Sequence, residues 1–147
     1  MSIENYAKCW IVAIFVVAIT AIAARAQTDP AVQMITADEL KTKITANQPV
    51  MLIDVRSSEG YANSNNTMKG ALHFKLRKLK ARLAFPPFKD LPKDREIVTY
   101  CACPNDESSI AAAQILQASG FKRVRVLQGG WQAWLKANGP VAPRTKT

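Results

Sequence analysis

The stretch Glu96-Ile97-Val98-Thr99-Tyr100-Cys101-Ala102-Cys103-Pro104-Asn105-Asp106-Glu107-Ser108-Ser109 decides the fold. After Glu96 its opening is β-branched and aromatic, which predicts a strand that delivers Cys101 to its carboxyl end. Beyond the loop, Ala112, Ile115 and Leu116 recur at helical spacing, which predicts a helix to about Ser119 with Gly120 as its C′ stop. A third strand follows over Arg123-Val124-Arg125-Val126-Leu127. Gly129-Gly130-Trp131 then opens a last helix that carries Trp134 and ends near Gly139-Pro140.

Upstream, Val50-Met51-Leu52-Ile53-Asp54-Val55 is an apolar run broken only by Asp54, the pattern of a strand covered on both faces. Thr36-Ala37-Asp38-Glu39 has capping-box spacing and precedes a helix with Leu40 and Ile44 on one face. Tyr61 to Gly70 is polar and reads as a helical turn followed by a loop, and Ala71 to Phe74 as a short strand. Lys75 to Arg82 sets basic residues against Leu76, Leu79 and Leu83, the spacing of an amphipathic helix with a cationic outer face, which Phe85-Pro86-Pro87-Phe88 ends. Strands alternating with helices predict an α/β domain: an open parallel sheet flanked by helices and joined by right-handed crossovers. Ligands of such sheets sit beyond the carboxyl ends of the strands, where Cys101 falls.

At 147 residues, 48% hydrophobic and 21% charged, the chain has the size of one domain, and its composition excludes disordered, collagen-like and coiled-coil classes. The net charge of +9 favours anionic partners without choosing among small oxyanions, nucleic acid and membrane surfaces. The Lys75–Arg82 cluster has no interleaved base-stacking aromatics, so it reads as a solvated helix face and no nucleic-acid partner is expected. His73 is the single histidine, which leaves no Cys-His pair. Two cysteines and a distant histidine do not make a four-ligand zinc set, so neither metal nor cofactor is expected.

The first 26 residues read as an export signal. An apolar run from Cys9 to Ala24 is followed by the small-x-small pattern Ala24-Arg25-Ala26, which predicts cleavage after Ala26 and a mature domain over 27–147. An uncleaved N-terminal anchor is the competing reading, and only in that case would a membrane be a partner. Either way the expectation is secretion across the inner membrane, to the periplasm. Cleavage removes Cys9 and leaves Cys101 and Cys103, spaced C-x-C. Framework disulfides gain by closing long loops, and this pair closes almost none, so its purpose reads as chemical.

A cysteine that leaves a strand into a tight loop and a helix lies among backbone N–H groups that stabilise an anion, and this favours a reactive thiolate. The blander alternative is a small buried residue at a strand end. For Cys103 the two readings are a packing residue and a resolving thiol, which would close a disulfide with Cys101 by thiolate attack. Asp106 and Glu107 suit a helix N-terminus, yet their charge opposes thiolate formation and repels anions. Arg56 and the Lys75–Arg82 helix are the cations available to offset them.

Residues from about Met34 to Val141 resemble a rhodanese domain. Met51-Leu52-Ile53-Asp54-Val55-Arg56 is similar to that family's strand ending in Asp-x-Arg, and Met68-Lys69-Gly70-Ala71 to its Ile-Pro-Gly-Ala segment. Val98-Thr99-Tyr100-Cys101 resembles its strand into the active-site cysteine. Gly120-Phe121 followed by Val126-Leu127-Gln128-Gly129-Gly130-Trp131-Gln132-Ala133-Trp134 resembles its typical ending. The resemblance implies a sulfurtransferase in which Cys101 is the nucleophile and persulfide carrier, with Asp54 and Arg56 as supporting residues. Ala102, Pro104, Asn105, Asp106, Glu107 and Ser108 then form the substrate-binding loop. The partners it implies are a small sulfur-containing anion (thiosulfate or polysulfide) and a thiol acceptor or reductant.

The departures are specific. Pro104 and Asp106 stand where active loops of the family carry Gly and Arg, Thr67 replaces its His, and the loop is about two residues longer than the six-residue kind. This resembles a subgroup with a C-x-C-P-N-[DE] loop. Without the loop Arg, paired hydrogen bonds to a doubly charged oxyanion are missing, which argues against phosphatase chemistry. Two other classes stay open: a dithiol/disulfide redox protein, and a catalytically inactive binding module.

Overall fold

The computed structural model describes residues 31–144; the signal or anchor expected over 1–26 lies outside them. The elements run β1 (Gln33–Ile35), α1 (Ala37–Thr45), β2 (Val50–Asp54), α2 (Ser58–Ala62), β3 (Asn66–Met68), β4 (Leu72–His73), α3 (Leu76–Arg82), β5 (Glu96–Tyr100), α4 (Glu107–Ala118), β6 (Arg123–Leu127), α5 (Gly130–Lys136) and β7 (Val141–Pro143). Five strands form one sheet in the order β1-β6-β5-β2-β4, with every pair parallel. The open parallel sheet expected from the sequence is therefore present, with β5 at its centre.

Alternation along the strands splits the core into two layers. Ile97 and Cys101 face one way with Ile53, Val55, Leu79, Ala112 and Leu116, beneath α3 and α4. Val98 and Tyr100 face the other way with Leu40, Leu52, Trp131 and Trp134, beneath α1 and α5. This two-sided covering is why β2 and β5 read as nearly unbroken apolar runs.

Three strands escaped the sequence reading. β1 is a three-residue edge strand. The stretch read as a loop within Tyr61–Gly70 contains β3, which pairs antiparallel with β7 from the far end of the domain. Asn66-Thr67-Met68 and Val141-Ala142-Pro143 carry too few residues for a period-2 signal, and their pairing is long-range.

The capping box is half realised. Thr36 Oγ1 accepts the Glu39 N–H at 3.2 Å, but the Glu39 carboxylate accepts from Arg125 Nη1 at 2.7 Å instead of returning to Thr36. At the amino end of β5, buried Glu96 accepts from Arg125, from Arg123 at 2.9 Å and from Lys43 at 3.4 Å. Burial opposes its ionisation, yet Arg125 and Lys43 outweigh that and hold its pKa below the ordinary 4.5. A lowered carboxylate pKa stabilises the fold above its unfolded value and is lost as pH falls through the folded one. Glu96→Gln is therefore expected to cost about 1–3 kcal/mol at pH 7 and to flatten the acid limb of a urea-denaturation series below about pH 5. An unchanged acid limb would show that Glu96 is not the responsible group.

Candidate active site

β5 carries Cys101 to its carboxyl end, and α4 begins six residues later. Two consecutive residues in the left-handed region, Asn105 (φ 58°) and Asp106 (φ 56°), turn the loop. Asn and Asp tolerate that conformation better than other non-glycine residues do. The turn brings the two cysteines together: Cys101 and Cys103 are disulfide-bonded, with their Cα atoms 5.7 Å apart.

Their surroundings differ. Cys101 is 1% exposed, and its Sγ lies 3.5 Å from the Ser109 hydroxyl. Cys103 is only partly buried, and its Sγ accepts the Ser108 N–H from the first turn of α4 at 3.5 Å. The helix N-terminus thus addresses the second cysteine. Ser109 also donates to the Asp106 carbonyl at 2.8 Å, which ties the loop to the helix.

Asp106 does not act as the helix-capping carboxylate that its position suggested. It stands at the N-cap without a side-chain bond to α4. Instead its buried Oδ2 accepts the Gly129 N–H at 2.7 Å. Next to that contact, Trp131 N–H donates to the Cys101 carbonyl at 2.8 Å. Gly130 lies between them at φ +47°, and a Cβ there would sit 2.2 Å from the Cys101 carbonyl oxygen. Gly130→Ala is expected to cost about 2–4 kcal/mol and to raise the alkylation rate of the reduced loop. A thermal melt and a timed alkylation check both; an unchanged melt would place the loop elsewhere.

Asp54 and Arg56 are paired with one another. Both are buried, and Arg56 Nη2 reaches Asp54 Oδ2 at 2.7 Å while Nε lies 2.9 and 3.1 Å from the two carboxylate oxygens. Thr67, at the position of the expected family His, joins them: its Oγ1 is 3.2 Å from Asp54 Oδ2 and 2.8 Å from the Tyr100 hydroxyl. Tyr100 donates to Asp54 Oδ2 at 2.9 Å. Burial, and after it the Asp54 charge, raise the Tyr100 pKa, so the phenol stays a donor. Arg56 also stacks over Trp131, with Cζ 4.5 Å from the ring centroid. Among the described residues neither Asp54 nor Arg56 bonds to a cysteine sulfur. Of the other loop residues, Ala102, Pro104, Asn105 and Glu107 are exposed and Ser108 is half-buried.

The sequence reading missed Ser109, Tyr100 and Gly130 as members of this site. Gly130 was legible only as part of a terminal motif, since the carbonyl it makes room for is 29 residues upstream. His73, offered no catalytic role, stacks on Tyr61 at 3.8 Å and meets the Arg56 carbonyl at 3.1 Å.

A parallel α/β sheet whose central strand hands a cysteine loop to a helix N-terminus defines a class of thiol-bearing domains. The chain belongs to one family in that class: residues 36–137 match the profile described as Rhodanese-like domain. A sulfurtransferase of Allochromatium vinosum is 27% identical over 110 residues, covering 75% of this chain and 94% of that protein. The thiosulfate sulfurtransferase GlpE of Coxiella burnetii is 28% identical over 104 residues, covering 71% of this chain and 88% of that one. The crystal structure of the Alr3790 protein from Anabaena superposes with a TM-score of 0.63 at 28% identity, covering 75% of this chain and 82% of that one.

Proposed function

We propose that the protein is a rhodanese-like sulfurtransferase that carries sulfane sulfur as a persulfide on Cys101 and works in the periplasm, after export across the inner membrane. The observation that carries this reading is a cysteine at the carboxyl end of the central strand with a second thiol in bonding reach, on a fold whose relatives are named sulfurtransferases. Export rests on the apolar run and Ala24-Arg25-Ala26 alone. The loop Cys101-Ala102-Cys103-Pro104-Asn105-Asp106 marks a subgroup lacking the loop Arg.

In the loading step the Cys101 thiolate attacks the outer sulfur of thiosulfate; sulfite leaves with the bonding pair and the persulfide forms. A polysulfide loads in the same way and leaves one sulfur shorter. In the discharge step the Cys103 thiolate attacks Cys101 Sγ and expels hydrosulfide, leaving the disulfide. A thiol reductant then restores both thiols with two electrons. Asp54 and Arg56 act as positioning residues, holding Trp131 and through its N–H the Cys101 carbonyl.

Intact mass spectrometry of the reduced protein after thiosulfate or polysulfide tests this. A gain of one sulfur atom is expected in Cys103→Ser, and sulfide release with loss of two hydrogens in the unsubstituted protein; both should disappear in Cys101→Ser. Loading that survives in Cys101→Ser overturns the reading. Loss of two hydrogens with neither sulfur retained nor sulfide released favours a dithiol/disulfide redox protein, for which the bonded pair is the specific support.

A further inference from the structure

Beside the loop, at the carboxyl edge of the sheet, lies a cleft of about 340 Å³. Val55 and Leu76 give it apolar wall, Lys75 and Arg77 bring two cations to it, and Ser108 lines the side toward the cysteines. Ser108 is the residue whose N–H meets Cys103 Sγ, so one wall of the cleft adjoins the second cysteine. Lys75 and Arg77 are exposed and make no ion pair among the described residues. Arg56 is 1% exposed and its charge is paired with Asp54, so Lys75 and Arg77 are the cations open to a ligand in the cleft.

The volume argues for more than an inorganic ion. Thiosulfate has five heavy atoms, whereas a cleft of this size falls in the range that holds organic ligands, about 300–1,000 Å³. Cations beside apolar wall suit a short carbon chain that ends in an acid. We propose that the cleft binds the reductant of this site, an organic thiol bearing a carboxylate or another acidic group. Its acid lies against Lys75 and Arg77, its carbon chain against Val55 and Leu76, and its sulfur at Cys103. This rests on the sulfurtransferase reading and names the class of thiol that resets it.

Exposure decides which sulfur is attacked. In the disulfide-bonded form Cys101 is 1% exposed and Cys103 is only partly buried, so the incoming thiolate bonds to Cys103 Sγ, and Cys101 leaves as the thiolate beside the Ser109 hydroxyl. A second thiol attacks its own kind in that mixed disulfide. Two thiols and one protein disulfide thus give one dithiol protein and one small-molecule disulfide.

The experiment reduces the oxidised protein with mercaptoacetate, mercaptoethanol and cysteamine, which are anionic, neutral and cationic thiols of similar size. Each rate is divided by the thiolate concentration. Mercaptoacetate is expected to react about tenfold faster than mercaptoethanol, with cysteamine the slowest, and Lys75→Ala/Arg77→Ala should shrink that preference to about twofold. Lys122→Ala/Lys136→Ala removes the same net charge at exposed positions outside the cleft and should keep the preference. Quenching by alkylation during reduction should leave the small thiol on Cys103 and the alkyl group on Cys101. A preference that survives in Lys75→Ala/Arg77→Ala, an equal loss in Lys122→Ala/Lys136→Ala, or the small thiol on Cys101 overturns the proposal. Sulfur loading is measured on the same preparations. Loading without the charge preference leaves the sulfurtransferase reading standing and removes the cleft's role, and the preference without loading does the reverse.

Discussion

Cys103→Ser is expected to turn a site that discharges sulfur into one that holds it. Reduced protein, freed of external thiols and given thiosulfate or polysulfide, should release close to one equivalent of sulfide and then stop with its disulfide closed. The Cys103→Ser protein should release it about a hundredfold more slowly, or less still, and keep the added sulfur in its mass. The magnitude follows from proximity: two thiols held in one loop replace a bimolecular encounter, and well-oriented intramolecular partners reach effective molarities far above any solution concentration. The geometry supports that scale, because the two Cα atoms lie 5.7 Å apart and the sulfurs are bonded when oxidised. A serine hydroxyl at the same position is a far weaker nucleophile than a thiolate at neutral pH. An electrode for sulfide gives the rate, and intact mass gives the retained sulfur. Equal release from both proteins would reduce Cys103 to a packing residue. Cys101→Ser, which has no sulfur to discharge, is the control that separates loading from release.

What the sequence revealed of this site follows from how far apart its parts lie in the chain. β2 and β5 were readable because both of their faces are covered, so nearly continuous apolar runs marked them, and β6 because Val124 and Val126 alternate with Arg123 and Arg125. The N-terminus of α1 was readable because its cap, Thr36, acts across three residues. Cys101 was readable because strand, loop and helix succeed one another locally. By contrast β3 and β7 are three residues each and exist through each other, across more than 70 positions. Asp106 shows the same limit: its charge beside a helix start suggested a cap, while its partner, Gly129 N–H, comes from the turn after β6. Asp54 and Arg56 were visible as a motif and Thr67 as a departure from one. Their union with Tyr100 depends on β2, β3 and β5 converging. The cations of α3 were legible as a charged helix face, but only the fold sets Lys75 and Arg77 beside the cysteine loop and leaves the rest of that face elsewhere.

The second large effect concerns that union. Arg56→Leu is expected to cost about 3–5 kcal/mol, which is a large part of the roughly 5–15 kcal/mol that holds a domain of this kind together. Asp54 is fully buried and meets Arg56 through Nε and Nη2 and through the Arg56 backbone N–H, at 2.7–3.1 Å. Removing the guanidinium leaves a carboxylate that Thr67 and Tyr100 hydrogen-bond but do not neutralise. It also removes the planar cation between Trp131 and Tyr61, whose ring centroids lie 4.5 and 5.1 Å from Cζ. The double variant Asp54→Leu/Arg56→Leu should lose less than Arg56→Leu alone, because no charge is then buried unpaired and Thr67 and Tyr100 still bond to each other at 2.8 Å. Urea denaturation of the three proteins measures both the loss and the recovery. A loss below about 1 kcal/mol in Arg56→Leu, within the range of surface ion pairs, would mean that the pair contributes no more than an exposed one. The effect should also reach the loop. Arg56 covers the Trp131 ring, and Trp131 N–H holds the Cys101 carbonyl at 2.8 Å, so alkylation of the reduced cysteines should accelerate in Arg56→Leu before any global unfolding is seen.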